Sequence, residues 1–248
     1  MTLEQFFAEN REVAIAFSGG VDSAYLLYAA TRYAARVKAY YVSTAFQPEF
    51  ELADARRLAD ELGADMLVLH VDVLSNSAVT ANPSDRCYHC KNTLFRQILR
   101  AAENDGFPVL LDGTNASDDA GDRPGMRALR ELSVRSPLRE CGLTKAEIRR
   151  LSRDAGLFTW DKPAYACLAT RIRTGEEITL QKLRQTEKAE GFLFGLGFRD
   201  FRVRMVDNTA KLELREADLP LLLENREKIV TELRKDYDSV LLNLEVRK

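Results

Sequence analysis

The stretch AIAFSGGVDSAYLL, residues 14–27, limits what this chain can fold into more than any other segment. Val13 to Phe17 has the apolar run of a buried strand, and Ala24 to Ala30 has the composition of a helix. Between them, Gly19 and Gly20 permit a sharp turn and let the backbone approach a ligand closely. A helix starting here offers unpaired N–H groups and the positive end of its dipole to an anion. Ser18 and Ser23 add hydroxyls, and Asp22 adds a carboxylate able to hold a metal ion or a substrate amine. The pattern predicts a phosphate cradle at a strand-to-helix turn. A turn that uses glycine for geometry alone is the competing reading.

The cradle is not a Walker A loop, because the G-x-x-x-x-G-K-[ST] spacing and its lysine are absent, and it is not G-x-G-x-x-G. S-G-G-V-D-S resembles the PP-loop of ATP pyrophosphatases, the superfamily of GMP synthetase, NAD synthetase and several tRNA-thiolating enzymes. The resemblance implies cleavage of ATP between its α and β phosphates and adenylation of a substrate. Ser18, Gly19, Gly20, Asp22 and Ser23 would then bind ATP, with Asp22 helping to place Mg²⁺ on the pyrophosphate.

Strand-like runs at 12–18, 37–44, 65–73, 108–113 and 133–137 alternate with helical patterns at 22–35, 49–62, about 88–104 and 144–155. Alternation of this kind predicts an α/β fold with a parallel, doubly wound sheet, whose ligands sit beyond the carboxyl ends of the strands. The PP-loop type of that fold is the adenine nucleotide alpha hydrolase-like one. The segment DGTNASDD, 112–119, follows the fourth strand and belongs to the same edge as the cradle. The pattern changes near Thr174-Gly175. A helix (179–194), two strands (201–206 and 210–215), a helix (218–235) and a last strand (239–247) predict a small α+β unit. The expected domains are 1–172, carrying the cradle, and 173–248, for substrate binding or oligomerisation.

The chain has 248 residues, 46% of them hydrophobic, and a net charge of −2. That balance gives no global case for nucleic-acid binding, which goes with a basic face. No apolar run approaches the roughly 20 residues needed to span a bilayer, and the N-terminal stretch lacks the pattern of a signal peptide. A cytoplasmic protein without a membrane partner is expected. In that setting the four cysteines are not a disulfide framework.

Cys87 and Cys90 form a C-x-x-C in DRCYHCKNTLF, at or just before a helix start. Half of a metal or cluster site, a redox pair, and two incidental cysteines are the competing readings. A structural zinc site takes four ligands and no second C-x-x-C is present, whereas iron–sulfur clusters accept a further thiolate from far away in sequence. Cys167, in KPAYACLATRI, and Cys141, in RECGLTK, are the candidates.

These segments together resemble the LarE-type ATP-dependent sulfur transferases over nearly the whole length. The likeness rests on S-G-G-V-D-S at 18–23, DGTNASDD at 112–119, DRPGMRALRE at 122–131 and SPLRECGLTKAEIR at 136–149. It continues through KPAYACLATRI at 162–172, AEGFLFGLGF at 189–198 and FRVR at 201–204. The resemblance implies adenylation of a carboxylate of a pyridinium-dicarboxylate mononucleotide, then its conversion to a thiocarboxylate for the nickel-pincer nucleotide cofactor. Cys167 is implied as the sulfur-related cysteine. Some members use it as a single-use donor that ends as dehydroalanine; others hold a [4Fe-4S] cluster on three cysteines, here Cys87, Cys90 and Cys167, with sulfide or another sulfur donor to recharge it. Cys141 lies outside the pattern and reads as a small buried residue. A homo-oligomer is also implied, and a PP-loop tRNA thiolase is the alternative function.

Arg202 and Arg204, two apart on a predicted strand, point to one face and suit a phosphate; the resemblance assigns them to the substrate phosphate. Glu190 resembles a family acidic residue near the phosphate and a metal, here Mg²⁺. Asp118 and Arg123 are candidates to face ATP or substrate, with a turn-forming Asp and a surface ion pair as the alternatives.

Overall fold

In this computed structural model, which describes residues 1–118 and 124–247, the chain divides into two units. The first comprises Met1–Val73 and Asp85–Ala164, and the second comprises Leu74–Ser84 and Tyr165–Lys248. In chain order the first part runs α1 (Leu3–Glu9), β1 (Glu12–Ala16), α2 (Val21–Tyr33), β2 (Arg36–Ser43), α3 (Glu49–Leu62) and β3 (Asp65–His70). After a short helix of the second unit, α4 (Ser77–Thr80), the first unit resumes with α5 (Arg86–Asn104) and β4 (Leu110–Leu111). It ends with α6 (Pro124–Glu131), α7 (Pro137–Glu140) and α8 (Lys145–Asp154).

The four strands form a parallel sheet of order β3-β2-β1-β4. Successive side chains of a strand face opposite ways, and both faces are apolar here. Val13, Ile15, Ala39 and Tyr41 join a core with α1, α2 and α3 residues such as Phe6, Leu27 and Leu58. Ala14 and Tyr40 join another with Ile98 and Ala102 of α5. Cores on both faces are the packing that a doubly wound sheet requires. The expected strand at 133–137 is a single bridge, Leu111 to Arg135. Ser133 takes a left-handed φ of 53° and Pro137 opens α7, so the chain is extended only briefly between them.

The second unit carries α9 (Leu180–Gly195), β5 (Arg202–Val206), β6 (Thr209–Glu213), α10 (Leu219–Glu224), α11 (Arg226–Leu233) and β7 (Ser239–Leu242). Its sheet order is β5-β6-β7, with β5 antiparallel and β7 parallel to β6. Leu193, Phe198, Phe201, Val203 and Ile229 are central to its core. The helix expected over 218–235 is two helices broken at Asn225, whose side chain donates to the Leu221 carbonyl at 3.0 Å. Residues 74–84 join this unit through paired backbone: Gly175 N–H donates to Asn82 O and Ile178 N–H to Thr80 O, both at 2.8 Å.

Candidate active site

β1 ends at Ala16 and α2 begins at Val21, so the four residues between them form the turn. Gly19 has φ +73°, and a Cβ there would lie 3.2 Å from Ala55 Cβ of α3. Gly20 is the N-cap and gives no side-chain hydrogen bond, so the first N–H groups of α2 keep their capacity for an anion. The two serines fix the loop across it. Ser23 Oγ accepts from Ser18 N–H at 3.3 Å, lies 3.0 Å from Ser18 Oγ, and donates to Gly20 O at 3.1 Å. Opposite them, Gly113 follows β4, and a Cβ there would sit 2.9 Å from Ser23 N, so only glycine lets the two loops come so close.

This edge of the sheet holds a cavity of ≈ 280 Å³, lined by Ser18, Gly20, Asp22, Ser23, Lys91 and Asp118 among others. A second cavity, ≈ 140 Å³, shares Ala16, Ser18 and Phe95 with it and is walled by Phe17, Tyr40, Val42 and Ile98. The pair offers a polar chamber at a helix N-terminus and an apolar slot beside it, which matches a polyphosphate joined to a flat base.

The three aspartates of the polar chamber differ. Asp112 accepts from Thr114 Oγ1 at 2.5 Å and Ser136 Oγ at 2.6 Å, so both its oxygens are occupied in holding the loop. Asp118 accepts from Asn115 N–H at 2.8 Å, the arrangement of a turn aspartate. Asp22 meets Lys145 Nζ at 2.5 Å through Oδ2, while its Oδ1 is buried without a partner. Burial pushes the Asp22 carboxyl above its ordinary range, and Asp118 adds to this, while Lys145 and Arg149 oppose it. A buried carboxylate oxygen without a partner, on a residue that lines the would-be polyphosphate chamber, fits a Mg²⁺ ligand. Lys91 and Lys145 escaped the sequence reading. Lys91 follows the C-x-x-C directly on α5, and Lys145 follows the capping Thr144; neither has a spacing of its own to mark it.

Cys87 and Cys90 lie in the first two turns of α5, three apart and thus on one side of the helix. Cys87 is exposed and Cys90 is half-buried, and neither is in a disulfide. Arg86 Nη2 lies 3.8 Å from Cys87 Sγ. The thiols suit iron–sulfur ligation by donor type. Yet among the described residues no three His, Cys, Asp or Glu side chains are gathered as a metal site requires, and Cys167 belongs to the second unit. Cys141 is free and packs against the first unit's core, and burial raises its thiol.

In the second unit Cys167, half-buried and not in a disulfide, precedes a single 3₁₀ turn at Leu168–Arg171. Arg202 and Arg204 lie on β5. Arg204 is held by Glu213 at 2.7 Å and by Thr170 O at 2.6 Å. Arg202 donates to Phe201 O at 2.6 Å; burial lowers its basicity, as do the like charges of Arg171 and Arg247. Carboxylates offset these charges: Asp200 lies 3.8 Å from Arg202 and 3.1 Å from Arg247. Glu190 is 1% exposed. Its carboxylate accepts from Arg171 through both oxygens, from Tyr165 Oη and from Val203 N–H, so a metal would have to displace these partners. Arg123 lies outside the described residues. No helix among those described is long and apolar enough to cross a membrane.

Comparison with known proteins agrees with this geometry. The family model for asparagine synthase matches residues 4–118, the part that carries the cradle. An uncharacterized protein of Synechocystis sp. is 40% identical over 86% of this chain and 80% of its own length. The pyridinium-3,5-bisthiocarboxylic acid mononucleotide synthase of Lactiplantibacillus plantarum is 33% identical over 87% of this chain and 79% of its own. A tRNA-specific 2-thiouridylase of Thermotoga petrophila is more distant, 26% identical over 59% of this chain and 52% of its own length. With a PP-loop on a parallel sheet and 33% identity to the Lactiplantibacillus enzyme over most of both chains, the chain belongs to the LarE family of ATP-dependent sulfur transferases.

Proposed function

We propose that this enzyme adenylates a carboxylate of a pyridinium-dicarboxylate mononucleotide and converts it to a thiocarboxylate, for assembly of a nickel-pincer cofactor. The observation that carries this reading is the polar chamber at the start of α2, with its orphaned Asp22 oxygen, beside an apolar slot. The slot would take the adenine, and Ser18, Gly19, Gly20 and Ser23 would cradle the phosphates. Asp22 would hold Mg²⁺ with phosphate oxygens, and Asp118 would border the same chamber. The substrate carboxylate attacks the α-phosphorus and pyrophosphate leaves, giving an acyl adenylate. A sulfur nucleophile then displaces AMP from the acyl carbon. Arg202 and Arg204 would hold the substrate phosphate, a role supported by the family resemblance and by their places two apart on β5. The family resemblance supports a homo-oligomer in the cytoplasm, with 173–248 as the substrate-binding or oligomerising domain.

Two sulfur sources fit the thiols. A [4Fe-4S] cluster on Cys87, Cys90 and Cys167 would supply an open iron for a sulfide; the placement of the C-x-x-C pair on one side of α5 supports it. Cys167 as a single-use donor is the second source, and it needs no other thiol. In that route its sulfur attacks the acyl adenylate and AMP leaves; a base then takes the Cα proton of Cys167 as the Cβ–S bond breaks, yielding the thiocarboxylate and dehydroalanine.

Iron and acid-labile sulfide are measured on protein purified without oxygen, for the wild type and for Cys87→Ala, Cys90→Ala and Cys167→Ala. A cluster lost in all three variants supports the first source. An iron-free protein whose Cys167 loses the mass of H₂S on turnover supports the second. Sulfur transfer at the wild-type rate by Cys167→Ala would remove that residue from the mechanism.

A further inference from the structure

Arg171 heads the fully buried large side chains of the described residues, with 1% of its surface exposed. Its Nε and Nη2 donate to the two oxygens of Glu190 at 2.9 and 3.0 Å, a bidentate pair inside the second unit. The rest of the guanidinium points the other way along the chain. Nη1 donates to Ala166 O at 2.7 Å and Thr170 Oγ1 at 2.9 Å, and lies 3.4 Å from Cys167 O. One side chain thereby holds the backbone on both sides of Cys167. Its anchor is itself fixed, because Glu190 also accepts from Val203 N–H of β5 at 2.9 Å and from Tyr165 Oη.

Stability alone is a poor reason for this arrangement. A buried ion pair gives up hydration that its mutual attraction does not always restore, and apolar residues of similar size often serve as well. An apolar side chain, however, could not bind the carbonyls of residues 166 and 167. Lysine could not do so either while also meeting Glu190 on two oxygens, because it lacks the planar fork.

We infer that Arg171 is the positioning residue of the Cys167 turn and that Glu190 is its anchor, so that Cys167 Sγ is presented from a turn of set geometry. The inference rests on the reading of Cys167 as the residue that handles sulfur. It also gives Glu190 a task different from metal binding: the carboxylate orients a guanidinium.

The test uses Arg171→Lys in the full chain, with Tyr165→Phe as a milder second variant that removes one donor from Glu190. Amide hydrogen exchange over residues 166–172, pyrophosphate release and sulfur transfer are measured on each. Arg171→Lys keeps a positive charge against Glu190 and loses the fork. Exchange at the turn should therefore rise at least about tenfold, and sulfur transfer should fall by a similar factor. Pyrophosphate release at saturating substrate, which draws on the ATP cradle and on Arg202 and Arg204 but not on Cys167, should stay near the wild-type rate. Tyr165→Phe should move the same two readouts in the same direction by less.

Wild-type exchange over 166–172 in Arg171→Lys would overturn the positioning role regardless of activity. Faster exchange with unchanged sulfur transfer would overturn its link to the reaction. If Arg171→Lys loses protection throughout the second unit, Tyr165→Phe decides by the same two readouts. Failure of the Cys167 reading is seen separately, as Cys167→Ala that still transfers sulfur while the exchange result stands.

Discussion

Gly113 offers the sharpest test of the cradle, because one methyl group there must move the machinery. A Cβ on residue 113 would stand 2.9 Å from Ser23 N, 3.2 Å from Ser23 Cα and 3.3 Å from Ser23 Cβ. An ordinary non-bonded separation is about 3.5 Å, so the start of α2 and the loop after β4 must part by roughly 0.6 Å in Gly113→Ala. Overpacking of this kind costs about 1–3 kcal/mol. In a protein of this size that lowers Tm by roughly 2–12 °C. Ser23 N–H is also one of the first N–H groups of α2, which face the phosphates in the proposed mechanism. A displacement of half an ångström at groups that must meet a transferring phosphoryl should cost about tenfold in kcat/KM for pyrophosphate release. Gly191→Ala is the control: it lies on α9, where the new methyl meets nothing within 4 Å, and it should stabilise by about 0.5–1 kcal/mol. The assays are thermal melting and substrate-dependent pyrophosphate release. Gly113→Ala with wild-type Tm and wild-type kcat/KM would refute the close approach and the role drawn from it.

Two further outcomes are expected. Lys145→Met leaves Asp22 with neither oxygen paired, in a site where burial already disfavours its charge. The Mg²⁺ concentration for half-maximal pyrophosphate release should then rise about tenfold, as for loss of a charged hydrogen bond; an unchanged Mg²⁺ requirement would separate Asp22 from the metal. Asp105 accepts from Tyr40 Oη at 2.6 Å and from Lys38 Nζ at 2.9 Å, which hold its carboxyl below the ordinary 3.8. Its contribution to stability is therefore complete above pH 3.8 and is lost as pH falls below that value through the depressed one. Asp105→Asn should lower the urea midpoint at pH 7 and converge on the wild type in acid. A gap that persists at low pH would refute the charge-based account.

Several features needed only local sequence. The strand, the glycine turn and the helix at 12–33 are written in neighbouring residues, since glycine's freedom and helix-end chemistry act over a few bonds. The parallel sheet also follows from alternation of apolar runs and helical patterns, because each crossover needs a helix. Other features required the fold. Asp22, Asp112 and Asp118 are equal as letters; which has an oxygen to spare depends on Ser136, Thr114, Asn115 and Lys145. Asn225 breaks a helix that its apolar periodicity would continue. The Glu190 carboxylate, an unremarkable helix residue in sequence, is committed to Arg171 nineteen positions away and to the backbone of β5. A strand, glycine turn and helix are set by backbone geometry over a few residues, so sequence alone determined these. Hydrogen-bond saturation and burial depend on partners distant in the chain, so only the tertiary structure decided which side chains remain available for chemistry.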